Sequence, residues 1–445
     1  MRLPGGCCCM RLNGLSDSSV PRKVLIICQY FVPYAASVGG VARVIHLAHY
    51  LKDQGCEVNV LTSDGADFGD LGLGELLTGL GVTYLRDPLK RSVQNSLMRI
   101  GHHPAGSASV WLSRLRVVKR VVSSVVIPDL GLFMVPKYFR AAAALIESTG
   151  IDTLIVSTPP HSMQLVGGLL KRKFGDQIDL VADYRDSWNG STIFSPRGAL
   201  TSMISRKLER FSLKRADLVT FASQPMFAKL NHLFPDLPLE GKGLLMMNGY
   251  AGEPCPVRVT SQSADLRIGY FGMADDDEQG YRNVEPLLRA IAGAIKAGIA
   301  IRLCFYGSLR LSRIDIKDFH FVEVNASVAH DDVFHVMQGM HYLLILHTDP
   351  ASSDEVITGK FFDYIKARRP ILCFSPENTE AARLVKRWQV GEWLDSQAPE
   401  RASQALSTLR PRDYPALLDD ELVSSFGRNG QYKKLYQRLR GGPCP

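Results

Sequence analysis

The 445-residue chain contains no run of about 18 consecutive apolar residues, the length a helix needs to cross a bilayer, and its longest apolar stretches are only strand-length. Nine cysteines are scattered through it, but no CxxC pair and no Cys/His spacing reads as a zinc site. Cys28, Cys304 and Cys373 sit in apolar strand-like runs, where cysteine serves as a small hydrophobe, a usage that fits a reducing cytoplasm. The opening MRLPGGCCCMRLNGLSDSS lacks the apolar centre of a signal peptide and reads as a disordered leader, or as sequence upstream of a start at Met10. No GxGxxG follows the first strand-like run, and the second lacks an acid placed for a ribose, which argues against a dehydrogenase. Acidic residues are absent between Lys90 and Arg120, where seven basic ones are interleaved with Leu97, Met98, Ile100, Val110, Trp111, Leu112 and Leu115. That mixture suits a peripheral contact with anionic lipid headgroups, the plainer alternative being a solvated basic face; no nucleic-acid motif accompanies it.

What is present is an alternation of strands and helices, in a chain too long for a single core. Val24–Cys28 and Val58–Thr62 are strand-like, and between them Gly39 and Gly40 open a segment whose apolar positions recur at helical spacing, completing a βαβ unit. The glycines let the backbone come close to a ligand, although a turn before a helix needs them anyway. Strands follow at Asp152–Ser157, Asp179–Ala182, Leu218–Ala222 and Leu244–Met247. The proline-rich, aperiodic AGEPCPVRVTSQSAD then breaks the pattern as a linker does. The alternation restarts with strands at Leu266–Phe271, Ile301–Tyr306, Phe319–Val324, Tyr342–Leu346 and Ile371–Phe374, the first two ending at Gly272 and Gly307, and the chain closes on a helix near Leu418–Arg440. The expected division is a leader over 1–20, a first Rossmann-like domain over 21–252, a linker over 253–265, a second Rossmann-like domain over 266–415, and a C-terminal helix over 416–445 that packs back on the first domain.

The organising stretch is EVITGKFFDYIKARRP, residues 355–370. With a helix from Gly359, Lys360, Asp363 and Tyr364 fall on neighbouring faces. The N–H groups and partial positive charge of a helix N-terminus, reinforced by Lys360, favour a phosphate, and a carboxylate one turn later can accept hydrogen bonds from sugar hydroxyls. The alternative is an ordinary amphipathic helix with an internal Lys/Asp pair.

Six segments in order, VLIICQYFVPY with Gly39-Gly40, STPPHS at 157–162, VADYRDSW at 181–188, Asn248-Gly249, the Glu355/Asp363 pair with GKFFDY, and Arg369-Pro370, resemble glycosyltransferase family 4 and its relatives in bacterial surface-polysaccharide synthesis. The resemblance spans roughly residues 23–395. It implies an α/β protein of the GT-B fold, two Rossmann-like doubly wound domains facing a cleft, and an enzyme that transfers a sugar from a nucleotide-sugar donor to a lipid-linked or polysaccharide acceptor. Retention of anomeric configuration, no bound metal and no other cofactor are implied with it, and closure of the domains over the donor is expected because a water-filled cleft would hydrolyse it. Carried over, Glu355 touches the transferred sugar or its phosphate surroundings, Asp363 the nucleotide ribose and Lys360 the diphosphate, with Arg282 as second cation and Gly272 allowing a close approach to the pyrophosphate. Three departures stand out: Asp363 replaces a glutamate, Ala367-Arg368-Arg369 replaces a small-residue turn before Pro370, and Tyr281-Arg282-Asn283 replaces a lysine.

On the acceptor side the candidates are Asp186, Arg185 and His161, all at carboxyl ends of strands, where ligands gather in parallel α/β sheets. Asp186 can take or hold the acceptor hydroxyl's proton and Arg185 keep it ionised; the alternative is a structural salt-bridge turn over Asp183–Asp186. His161 follows Pro159-Pro160 in the loop where related enzymes carry a histidine, or else caps the next helix. The rival functions are a nucleotide-sugar 2-epimerase and a non-catalytic partner subunit. The expected location is the cytoplasm, at the inner face of the membrane.

Overall fold

In a computed structural model the residues described are 22–35, 38–69, 72–92, 126–190, 198–258, 265–278, 280–329, 332–349, 354–410 and 418–441. The leader, most of the basic segment between Lys90 and Arg120, and part of the linker lie outside them. Lys90 itself is buried, its Nζ donating to the backbone oxygens of Gln29 and Ser63 at 2.9 Å each.

The chain forms two compact units. One takes the chain up to Ala222, then Met226–Met247 and everything from Tyr432; the other is Ser223–Pro225 with Asn248–Gln431. The first holds a seven-stranded parallel sheet in the order β3-β2-β1-β4-β5-β6-β7. Its strands are β1 Lys23–Ile27, β2 Glu57–Ser63, β3 Gly81–Leu85, β4 Thr153–Thr158, β5 Asp179–Tyr184, β6 Leu218–Phe221 and β7 Gly243–Leu245. β4 and β5 are buried along their whole length, so they read as unbroken apolar runs. β3 is a half-exposed edge strand whose GVTYL carries no such run, and sequence reading passed over it. Helices α1 Val38–Asp53, α2 Val135–Thr149, α3 Met163–Phe174 and α4 Ala199–Arg215 belong to this unit. Gly150, at φ +69°, closes α2 in the left-handed conformation that glycine adopts freely.

The second unit repeats the plan with six parallel strands in the order β10-β9-β8-β11-β12-β13. These are β8 Leu266–Asp275, β9 Ile301–Arg310, β10 Val322–Asn325, β11 Tyr342–Leu346, β12 Ile371–Ser375 and β13 Gly391–Asp395. Helices α5 Glu285–Lys296 and α6 Gly359–Lys366 matter below. Both sheets reverse direction of winding beside their central strand, between β1 and β4 and between β8 and β11, and such switch points leave the crevice in which doubly wound folds bind ligands.

Three local details differ from expectation. β8 and β9 do not stop at their glycines: Gly272 and Gly307 are paired, at φ +133° and +134°, and the strands run on to Asp275 and Arg310. The C-terminal helix is two helices, Asp420–Ser425 and Arg428–Leu439. They part at Phe426-Gly427, where Tyr250 N–H donates to Phe426 O at 3.3 Å and Arg428 N–H to Tyr250 O at 2.9 Å. Arg368, in the turn before Pro370, takes a left-handed conformation unusual for a large side chain, at φ +54°. It holds that conformation with hydrogen bonds from its guanidinium to Cys255 O and Leu418 O at 2.8 and 2.7 Å and an ion pair to Asp420.

The helix Arg428–Leu439 enters the first unit through Tyr432, Leu435 and Leu439, which join the apolar cluster of α1, β1 and β2. Tyr432 Oη donates to Arg43 O at 2.9 Å, and Arg22 Nη2 to Leu439 O at 2.7 Å.

Candidate functional site

The second unit collects its polar groups at the carboxyl edge of β8 and β11. α6 begins there, fixed to the sheet by Phe361, Phe362, Tyr364 and Ile365, which are fully buried, and by the Tyr364 hydroxyl, which donates to Leu344 O at 3.1 Å. Lys360, in its first turn, lies over the Tyr270 ring at 3.9 Å from the centroid. A Cβ on Gly272 would stand 2.7 Å from its Nζ, so the lysine occupies space that a glycine leaves open. Burial, and then the charge of Arg282, lower Lys360 to about 7. Thr358, the residue before α6, carries a buried hydroxyl with no hydrogen-bond partner among the described residues and does not cap the helix.

Arg282 is placed by a turn stitched to the strand end after β11. Thr348 N–H donates to Tyr281 O at 3.1 Å, its hydroxyl donates to Gly280 O at 2.9 Å, and that hydroxyl accepts from Asn283 N–H at 3.0 Å. The Arg282 guanidinium stands 5.2 Å from the Tyr281 ring centroid. Among the described residues no carboxylate is within ion-pair distance of Lys360 or Arg282. Two cations without a counter-ion among the described residues, next to a helix N-terminus and a hydroxyl that these residues leave unsatisfied, make a site with a positive field and donors to spare. The structure thus brings Gly272, Lys360 and Arg282 together. Glu355 lies half-buried four residues before α6, and Asp363 half-buried on α6, one turn beyond Lys360.

In the first unit, Gly39 and Gly40 form the first turn of α1 at the carboxyl edge of β1. Gly40 O accepts a hydrogen bond from Arg185 Nη1, and a Cβ on Gly40 would lie 3.1 Å from that nitrogen. Arg185 also donates to Thr158 O and Pro159 O, at 3.1 and 2.7 Å. It therefore ties α1 to the loop after β4. Burial pulls it below the ordinary arginine range.

Asp183, at the same strand end, is fully buried and belongs to the scaffold. Arg43 reaches it through Nη2 and Nε at 2.7 and 3.3 Å, and the hydroxyls of Ser157 and Thr220 donate at 2.7 and 2.6 Å. Burial pushes its carboxyl up, but Arg43 and the two hydroxyls outweigh that and hold it below the usual range. Asp186, three residues on, presents an exposed side chain; the surrounding protein raises its carboxyl, with Arg185 and Arg43 pulling the other way. His161 is 2% exposed, stacked at 5.6 Å and 12° on Trp188. Burial, then the charge of Arg185, push it down to about 3, so it is neutral.

Sequence reading passed over Thr358, Tyr270 and His347. The signal for His347 was available, since it directly follows the apolar run YLLIL and so stands at a strand's carboxyl end.

Residues 38–236 match the glycosyl transferase 4-like domain family. Among solved structures the chain is similar to the apo form of the lipopolysaccharide outer core galactosyltransferase WaaB, at 10% identity and a TM-score of 0.59, over 94% of this chain and 99% of that one. A glycosyltransferase from Rickettsia africae follows at 12% identity and 0.56, covering 94% and 98%. Arabidopsis thaliana UGT89C1 complexed with UDP-L-rhamnose gives 12% and 0.52, covering 95% and 100%. No curated protein matches the chain in sequence. The two parallel sheets of matching strand order and the extent of these structural likenesses show a fold of the GT-B type, and residues 38–236 are similar to glycosyl transferase 4-like domains.

Proposed function

We propose that this glycosyltransferase takes its sugar from a nucleotide-sugar bound by the second unit, without a metal ion and with retention, and delivers it to a lipid-linked or polysaccharide acceptor at a membrane surface. The observation that carries the donor reading is the pair Lys360 and Arg282, without carboxylate partners among the described residues, at the start of α6.

As the bond between the anomeric carbon and the diphosphate oxygen breaks, negative charge builds on the leaving group. Fixed cations and a helix N-terminus stabilise that charge more than the ground state, which is what accelerates the step. Lys360 and Arg282 are in place beforehand, so little reorganisation is left for the moment of reaction. Thr358 Oγ1 supplies a hydroxyl donor in the same place. Gly272 keeps the strand's own side chains out of the way of Lys360. In this reading Glu355 contacts the transferred sugar and Asp363 the ribose. On the first unit Asp186 is the exposed carboxylate that holds the acceptor hydroxyl, while Arg185, by joining Gly40 to Thr158 and Pro159, positions the loop that bears His161. The UDP-L-rhamnose held by one structural relative is an example of the donor class.

The test is thermal stability against a panel of nucleoside diphosphates and nucleotide-sugars, repeated with Lys360→Ala. A ligand at 100 times its dissociation constant adds about 2.7 kcal/mol to a folded state that alone binds it. A rise in Tm with one nucleotide series, lost in the variant, is the expected result. No rise with any of them would point to the non-catalytic alternative.

A further inference from the structure

One buried group at the edge of β11 has no part in that scheme. His347 is 1% exposed and directly follows the strand, with its backbone N–H fixed to Phe374 O at 3.0 Å. Its Nε2 lies 2.9 Å from the Tyr281 hydroxyl, and the tyrosine ring is tilted over the imidazole at 4.8 Å. Nδ1 is buried and has no hydrogen-bond partner among the described residues. Either tautomer leaves a polar corner unsatisfied: if Tyr281 donates to Nε2, Nδ1 carries an orphan N–H, and if Tyr281 accepts, Nδ1 carries an orphan lone pair. Such an atom calls for a reason, and a ligand that is not bound is one.

The charged groups acting on the ring come from two elements: Arg282 in the turn after β8 and Lys360 in α6. Among the described residues no carboxylate acts on it, and the titratable side chain of Tyr281 is in contact with it. Burial first, then these two cations, push the imidazole down to about 3, so it is neutral throughout the physiological range.

We propose that His347 is a third basic group of the donor site, neutral while the site is empty and protonated when the diphosphate of a nucleotide-sugar settles against Arg282 and Lys360. The inference rests on the donor reading above and extends it. The cations that keep a proton off His347 are those that a diphosphate neutralises. Bound dianionic oxygens turn net repulsion at the ring into attraction and offer the imidazolium an acceptor. One proton enters from solvent as the donor binds and leaves when the nucleoside diphosphate is released. In between, the added charge stabilises the leaving group as its bond to the sugar breaks.

Lys360 would itself take up a proton, so the experiment removes that contribution. Calorimetric titration with UDP, GDP and inorganic pyrophosphate, at about pH 6.5 in buffers of different ionisation enthalpy, measures protons taken up per ligand bound. The comparison is between Lys360→Arg and the double variant Lys360→Arg/His347→Gln. The expected result is about half a proton or more by which uptake in the single variant exceeds that in the double. Equal uptake in two variants that both bind overturns the role of His347. Absence of binding to the wild-type protein by every ligand overturns the donor reading instead. If the double variant does not fold, imidazole Cε1–H NMR of the wild type decides. One histidine signal that stays neutral to about pH 5 in the empty protein and moves to the imidazolium position with UDP supports the proposal. Failure of any histidine signal to move overturns it.

Discussion

Lys360 combines two properties that pull in opposite directions. Burial disfavours its charge, yet the charge is what the proposed donor site needs. Removing it, or Arg282, is expected to lower turnover about 10²–10³-fold, as for loss of one preorganised charge stabiliser. Because the lysine sits near 7 in the empty protein, a diphosphate must bring a proton with it above that pH. Affinity is then expected to fall by up to about tenfold per pH unit between about 7 and 9, and Lys360→Arg should flatten the slope. Calorimetry across that range checks both. Lys360 also acts on stability: its folded-state value lies below the usual lysine range, so the unfolded chain binds the proton more tightly and this group favours folding increasingly as pH rises through 7 and beyond.

Glu209 is the converse case. It is buried on α4, accepting from Asn189 Nδ2 at 2.7 Å, and burial pushes its carboxyl up to about 7. A carboxyl raised in the folded state holds its proton there longer than in the unfolded chain. Its stabilising effect is therefore complete below the ordinary glutamate range and is lost as pH rises through 7. Glu209→Gln should stabilise the fold above pH 7, by an amount on the order of 2–3 kcal/mol, and so raise Tm there, while leaving Tm nearly unchanged near pH 5. Thermal melts at the two pH values test this; a variant equally stabilised at both would rule out the carboxyl as the cause.

At the scale of elements, the paired glycines of β8 and β9 differ in what surrounds them. A Cβ on Gly307 would lie 2.4 Å from Gly272 O, a backbone atom that cannot yield, whereas a Cβ on Gly272 meets the movable end of Lys360. Both positions have positive φ, for which a side chain costs about 1–3 kcal/mol. Gly307→Ala should consequently lose more stability than Gly272→Ala, and Gly272→Ala should lose proportionately more of the nucleotide-induced rise in Tm. A variant pair that behaves the other way round would detach Gly272 from the donor site.

The same elements explain what could be read from the chain. Runs such as VLIIC, DTLIVS and YLLIL are buried on both faces of parallel sheets, so they declare themselves as unbroken apolar strands. The edge strand GVTYL and the short β13, GEWLD, are half-exposed, and their mixed composition hides them. The continuation of β8 and β9 past their glycines was equally hidden, because a glycine marks a possible turn while the partner strand decides whether one forms. Lys360 was legible from its place at the start of α6. Its contact with the Tyr270 ring and the satisfied, structural state of Asp183 depend on packing between distant segments, which spacing along the chain does not encode.

Seen as a whole molecule, the second unit is an insertion within the first, since the chain leaves the first unit after Met247 and re-enters it at Tyr432. A chain ending at Gln431 would lack Tyr432, Leu435 and Leu439, and with them part of the cluster that packs α1 against its sheet. Loss of buried side chains of this size costs about 2–5 kcal/mol each, so the first unit of such a truncation is expected to melt early. The second unit should keep its nucleotide-dependent transition, and calorimetry resolving two transitions would show it.

That re-entry also sets an order of assembly. Domains ordinarily fold as they leave the ribosome, the earlier before the later. Here the first unit waits for residues made after the whole of the second, so the second unit is complete before the first. Until then, the apolar groove that receives Tyr432, Leu435 and Leu439 stands open on α1, and the time taken to synthesise residues 248–431 is the interval over which that surface needs protection.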